Sequence, residues 1–202
     1  MTRLRLPLLL ALPGLALGAA GVLHPHHLTY DTARSWFGLH LAGLVVFPLV
    51  GLALMRVVAG RRDPLAWLVR LAAYGYATFY TALDVVSGLA AGWVTRRIGP
   101  GVPRPEEVSL LFRLGTPIGE VGSAALLVAV VALTLDLARR RPRAALLGLL
   151  LVPGAWLVHT DHIFAPQGAI GMALIGVGTG LAGLVQGQVV TLRADPDATD
   201  RP

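Results

Sequence analysis

Residues 36–58 read WFGLHLAGLVVFPLVGLALMRVV and run straight into Ala59-Gly60-Arg61-Arg62-Asp63-Pro64. A helix crossing about 30 Å of hydrocarbon needs about 20 apolar residues at 1.5 Å each. This stretch meets that length, with only His40 and Arg56 as ionisable groups. A Gly-Arg-Arg-Asp-Pro turn then stops it.

Comparable apolar runs lie on either side, at 6–23, 65–92, 116–138, 144–160 and 167–190. The chain has 202 residues, 55% hydrophobic and only 14% charged, against about 25% charged in an ordinary soluble domain. The expected fold is therefore all-α, a polytopic membrane bundle of six transmembrane helices with short loops, formed by residues 1–192. The count becomes five if the first segment is a cleaved signal peptide, a reading that Arg3, Arg5, the leucine-rich core and Gly18-Ala19-Ala20 also fit. In the connection 93–115, Pro105-Glu106-Glu107 is a helix start, and Val108, Leu111, Phe112 and Gly115 share a face; an interfacial helix is expected there. The polar stretch 193–202 lacks the apolar surface to fold and is expected to be a disordered tail.

All 17 basic residues are arginines, and the side on which they fall sets the orientation. Arg61-Arg62 and the group Arg139, Arg140, Arg141 and Arg143 occupy two short connections on one side, together with Arg3, Arg5, Arg56, Arg70, Arg193 and Arg201. That side is expected to be cytoplasmic in a cell (inner) membrane, with both termini inside. The formal charge of +6 then reports topology and not a nucleic-acid footprint; the expected partner is the lipid bilayer. Four-residue glycine spacings, such as Gly88/Gly92, Gly115/Gly119 and Gly176/Gly180, predict close helix approach in lipid.

The absence of cysteine excludes disulfides, thiolate catalysis and Cys-based metal sites, so any metal must be held by His, Asp and Glu. With the topology set by arginines, all six histidines fall at the outer side. His24, His26 and His27 lie in the first outer connection, His40 is about one turn into the second segment, and His159 and His162 close the fifth. Two acids stand within apolar runs, Asp84 and Glu120; an intramembrane carboxylate costs about 2.5–3.5 kcal/mol on insertion scales and points to function. Tyr76, Tyr80, Asp84 and Ser87 form one stripe, and Thr116, Glu120 and Ser123 another.

The expected site takes a divalent transition metal, zinc above all, on His40, His159, His162 and Asp84, with Glu120 and Asp84 in catalytic roles. His24, His26, His27, Asp161 and Tyr80 are secondary candidates. Hydrolysis of a lipid or other amphipathic substrate follows from such a site. Three other readings fit the same residues: haem b on two histidines in an electron-transfer subunit, a proton or ion carrier using Asp84 and Glu120, and a membrane subunit without chemistry.

Overall fold

Helices account for every regular element of the computed structural model, which describes residues 4–194, with side chains to residue 186. In order they are α1 (Arg5–Leu23), α2 (Ala33–Val57), α3 (Pro64–Leu83), a π-helical segment (Asp84–Ala90), α4 (Ala91–Ile98), α5 (Glu106–Arg140), a 3₁₀ segment (Pro142–Leu147), α6 (Gly148–Asp161) and α7 (Gln167–Ala194). Five stretches are long and apolar enough to cross a membrane: Arg5–Leu23, Ala33–Val57, Glu106–Arg140, Pro142–Asp161 and Gln167–Gln186. The third expected span, 65–92, is helical throughout but is not among them. Its α-helix carries Arg70 and three tyrosines and passes at Asp84 into the wider π-helix. The polar tail falls, after Ala194, outside the described residues.

Local chemistry explains the ends. Asp63 caps α3, its carboxylate accepting from the Ala66 N–H at 3.2 Å ahead of Pro64 at the first helical position. Gly60 turns the preceding connection at φ 77°, a region open to glycine. Arg61 donates to Asp63 at 2.6 Å and also to Asp136 of α5, which accepts from Arg140 as well. Asp136 is buried, so this shared carboxylate ties the α2–α3 connection to the end of α5 at the arginine-rich end of the bundle. The stretch expected to hold a separate interfacial helix is divided: α4 takes its first part, and Glu106 opens a helix that runs unbroken past Pro117 to Arg140. Its first apolar turn buries Val108 beside Leu28, Ala33, Trp36 and Ala91.

The helices pack as α1 on α7, α7 on α6, α6 on α5, α5 on α3, and α3 on α2, with α2 returning to α1. Phe47, Leu54, Tyr76, Leu126, Leu133, Leu151 and Met172 fill the shared core. Close approach rests on small residues, as the glycine spacing predicts. A Cβ at Gly14 would stand 2.6 Å from the Gly176 Cα, and one at Gly176 would stand 2.7 Å from the Ala11 carbonyl. The outward faces are leucine and valine: Leu8, Leu12, Leu41, Leu52, Leu71 and Leu149 are each more than half exposed.

Replacing Gly176 by Leu forces α1 and α7 apart, and a loss of about 1–3 kcal/mol is expected from overpacking. Gly38→Leu is the control, since a Cβ at Gly38 meets nothing within 4 Å. Equal thermal melting of the two purified variants would refute the small-residue interface.

Candidate functional site

The end of the bundle away from Asp136 collects most of the polar side chains singled out above. His40, on the second turn of α2, lies against Gly88 of the π-helix, where a Cβ would overlap the imidazole. Gly43, one turn on, leaves room for Asp84 in the same way: its Cβ would stand 2.7 Å from a carboxylate oxygen. Two glycines therefore seat a histidine and an aspartate inside the helix contact, and the π-helix begins at that aspartate. Single π-helical turns inserted in α-helices are frequent at functional sites. Trp36 closes the arrangement, its indole N–H donating to the Ser87 carbonyl at 3.1 Å and its ring stacking on His40 at 5.0 Å.

Hydrogen bonding assigns the tautomers. The His40 Nδ1 lies 2.7 Å from the Trp36 carbonyl and the His24 Nδ1 lies 2.8 Å from the Pro25 carbonyl. A carbonyl only accepts, so both Nδ1 atoms donate, and in the neutral rings both Nε2 atoms carry lone pairs. The two rings meet edge to face at 4.9 Å. His40 Nε2 stands 3.9 Å from Asp84 Oδ1. His24 Nε2 and both Asp84 oxygens are buried without a hydrogen-bond partner among the described residues. Burial lowers the His24 pKa below the ordinary 6.5 and so keeps that ring neutral.

His162 follows α6 at φ 55° and ψ −130°, a backbone conformation that favours glycine; holding a histidine there stores strain of order 1–3 kcal/mol. Its Nδ1 pairs with the Tyr80 hydroxyl at 2.5 Å, and its ring faces His24 at 6.3 Å. Burial pushes the His162 pKa well below 6.5.

Of the expected set, His40, Asp84, His162 and Tyr80 are thus brought together, and His24 joins them. His159 bonds elsewhere, its Nδ1 2.8 Å from the Ser123 hydroxyl, and lines with His40, Tyr80 and His162 a cavity of about 380 Å³. Glu120 and Asp161 line the same cavity; Glu120 is exposed at its rim. His26 and His27 are exposed, and His26 stacks on Phe164. Among the described residues, no three of the His, Asp and Glu side chains stand where one metal ion would meet them all.

Three residues with defined structural roles were not singled out in the sequence reading. Trp36 is 4% exposed and inside the site; its four-residue spacing to His40 was the available signal. Ser123 appeared only as part of a stripe, and its partner lies 36 residues away. Asp136 is a third acid within an apolar run, betrayed only by Arg140 four residues on.

The two stripe tyrosines give opposite expectations. The Tyr76 hydroxyl is buried without a partner, so Tyr76→Phe is expected to be neutral or stabilising. Tyr80→Phe leaves His162 Nδ1 unpaired and is expected to cost about 1–3 kcal/mol. Chemical or thermal melting of both variants checks this; a larger loss for Tyr76→Phe would contradict the assigned hydrogen bonds.

Comparison with protein-family models, with curated proteins and with solved structures finds no match for the chain.

Proposed function

We propose that the chain is a polytopic protein of the cell membrane, arginine-rich end inward, whose outer end binds a divalent transition metal, zinc above all. The ligands are His24, His40 and Asp84, which leaves the fourth position open. One observation carries this reading: His40 stands between the His24 ring and the Asp84 carboxyl group, and the buried His24 Nε2 and both Asp84 oxygens have no hydrogen-bond partner among the described residues. Buried acceptors are as a rule satisfied, and a cation answers several at once. All the ligand types suit zinc. Two donors on a tetrahedral zinc at 2.0–2.1 Å lie about 3.4 Å apart, so His40 and Asp84, now 3.9 Å apart, need to close by only about half an ångström. His162, its Nδ1 paired with the Tyr80 hydroxyl, stands beside them.

Membrane insertion is supported by the five apolar helices and by leucine-rich outward faces, which exceed the apolar patches soluble monomers leave uncovered. Zinc held there would supply a water acidic enough to react near neutral pH, and the adjoining cavity, lined by His40, would leave room for a substrate. Hydrolysis of an amphipathic substrate is the reaction we assign to it. The second reading is a proton site, favoured by the lack of a three-donor arrangement: a proton shared by Asp84 and His40 also answers the unpaired lone pairs.

Elemental analysis of tag-free protein in detergent tests the metal. Near-stoichiometric zinc is expected, falling at least about tenfold in Asp84→Asn and His40→Ala and unchanged in His159→Ala. No metal in the native protein, or full metal in Asp84→Asn, would overturn the site in favour of the proton reading; iron with an intense Soret band would replace zinc by haem. The orientation is tested separately, because the chain has no cysteine of its own. A membrane-impermeant thiol reagent added to intact cells should label His27→Cys and not Arg62→Cys; the reverse pattern would invert the topology.

A further inference from the structure

The cavity beside the site has a charge character opposite to that of the chain. Two carboxylates, Glu120 and Asp161, line it, and among the described residues none of the arginines does. Neither acid is in an ion pair among the described residues, whereas Asp63, Asp136 and Glu106 all are. Aromatic rings line it as well: Trp36, Phe112 and Phe164, with Trp36 6.0 Å from Phe112 and 6.3 Å from Phe164. Phe112 already carries a cation, the Arg104 guanidinium at 5.1 Å. His40, 6% exposed, also lines the cavity, and its Nε2 makes no hydrogen bond among the described residues.

The position of the mouth is equally telling. Glu120 stands 14 residues after Glu106 on α5, roughly 21 Å along the helix axis from the start of that helix, and shares the cavity with Asp161 at the end of α6. It is exposed there with Thr116 on α5 and Thr160 on α6, flanked by the outward side chains of Leu114, Val121 and Trp156, each at least half exposed. The opening therefore lies in the apolar flank between α5 and α6. An unpaired carboxylate on such a flank is costly in lipid unless something positive meets it.

We infer that the cavity admits, sideways between α5 and α6, an amphiphile whose cationic headgroup sits among Glu120, Asp161 and the aromatic rings. Carboxylates supply the charge attraction, and aromatic faces attract alkylammonium groups through the ring quadrupole; the chain of the amphiphile stays along the outer faces of α5 and α6. The inference rests on the membrane reading above and names the substrate class of the same site. It does not need the metal to be present. An anionic amphiphile is excluded by the same charges.

Calorimetric titration of the full chain in maltoside detergent tests it with three probes. Dodecyltrimethylammonium is expected to bind at one site, about tenfold more weakly in Glu120→Gln, while dodecyl phosphate does not bind. Tetramethylammonium, which lacks the chain, is expected to bind at least about tenfold more weakly than the amphiphile; equal binding would assign the site to a free ammonium ion and overturn the lipid-borne source. Equal or tighter binding of dodecyl phosphate, no binding of the ammonium amphiphile, or unchanged affinity in Glu120→Gln would overturn the inference. Glu120→Gln is expected to melt as the native chain does and to keep its metal, so a failure here is separate from a failure of the zinc reading. Should Glu120→Gln not fold, Asp161→Asn serves the same comparison.

Discussion

Asp84 is a carboxylate in the middle of helix contacts, with neither oxygen reached by a donor from the described residues, and the surrounding structure is arranged around that fact. Gly43 makes room for it from α2, and Gly88 makes room for the histidine it faces. The helix changes from α to π at the aspartate itself. Buried polar groups are as a rule answered by a partner, and here His40, 3.9 Å away, offers a lone pair of its own. Apolar packing alone would have removed such a group. Its retention, with glycines cut to its shape, is what makes this end of the bundle a site.

The other end solves a similar problem differently. Asp136 is buried to the same degree, but Arg61 and Arg140 both donate to it. Breaking a pair of this kind leaves an uncompensated charge, so Asp136 reads as a fastening between the α2–α3 connection and α5. The contrast separates the two acids as residue type alone does not: one is paired by two arginines, the other has no partner among the described residues. The cavity next to Asp84 continues the theme, with two further acids that have no basic partner among the described residues, in a chain of net positive charge.

Much of this was legible from the residues. Apolar runs locate the helices because length and hydropathy are local properties, and the capping of α3 by Asp63 and Pro64 is likewise local. The stripe Tyr80-Asp84-Ser87 and the glycine spacings also lie on single helices, so periodicity shows them. What the sequence does not carry is which stripes face one another. His24 outranks His159 beside Asp84 because the α1–α2 connection folds back over α2, a matter of tertiary packing. The continuity of α5 through Pro117 and the π-helix at Asp84 both run against local preference, and packing against Trp36 and His40 decides them.

The central claim is that a metal ion sits on His24, His40 and Asp84. X-ray absorption at the zinc edge of the purified native chain addresses it most directly, because it reports the ligand atoms themselves. The account predicts a first shell of nitrogen and oxygen near 2.0–2.1 Å, with the outer-shell pattern of two imidazoles that disappears in His40→Ala. A shell of oxygen alone, as from loosely held hydrated ions, or an imidazole pattern indifferent to His40, would contradict it.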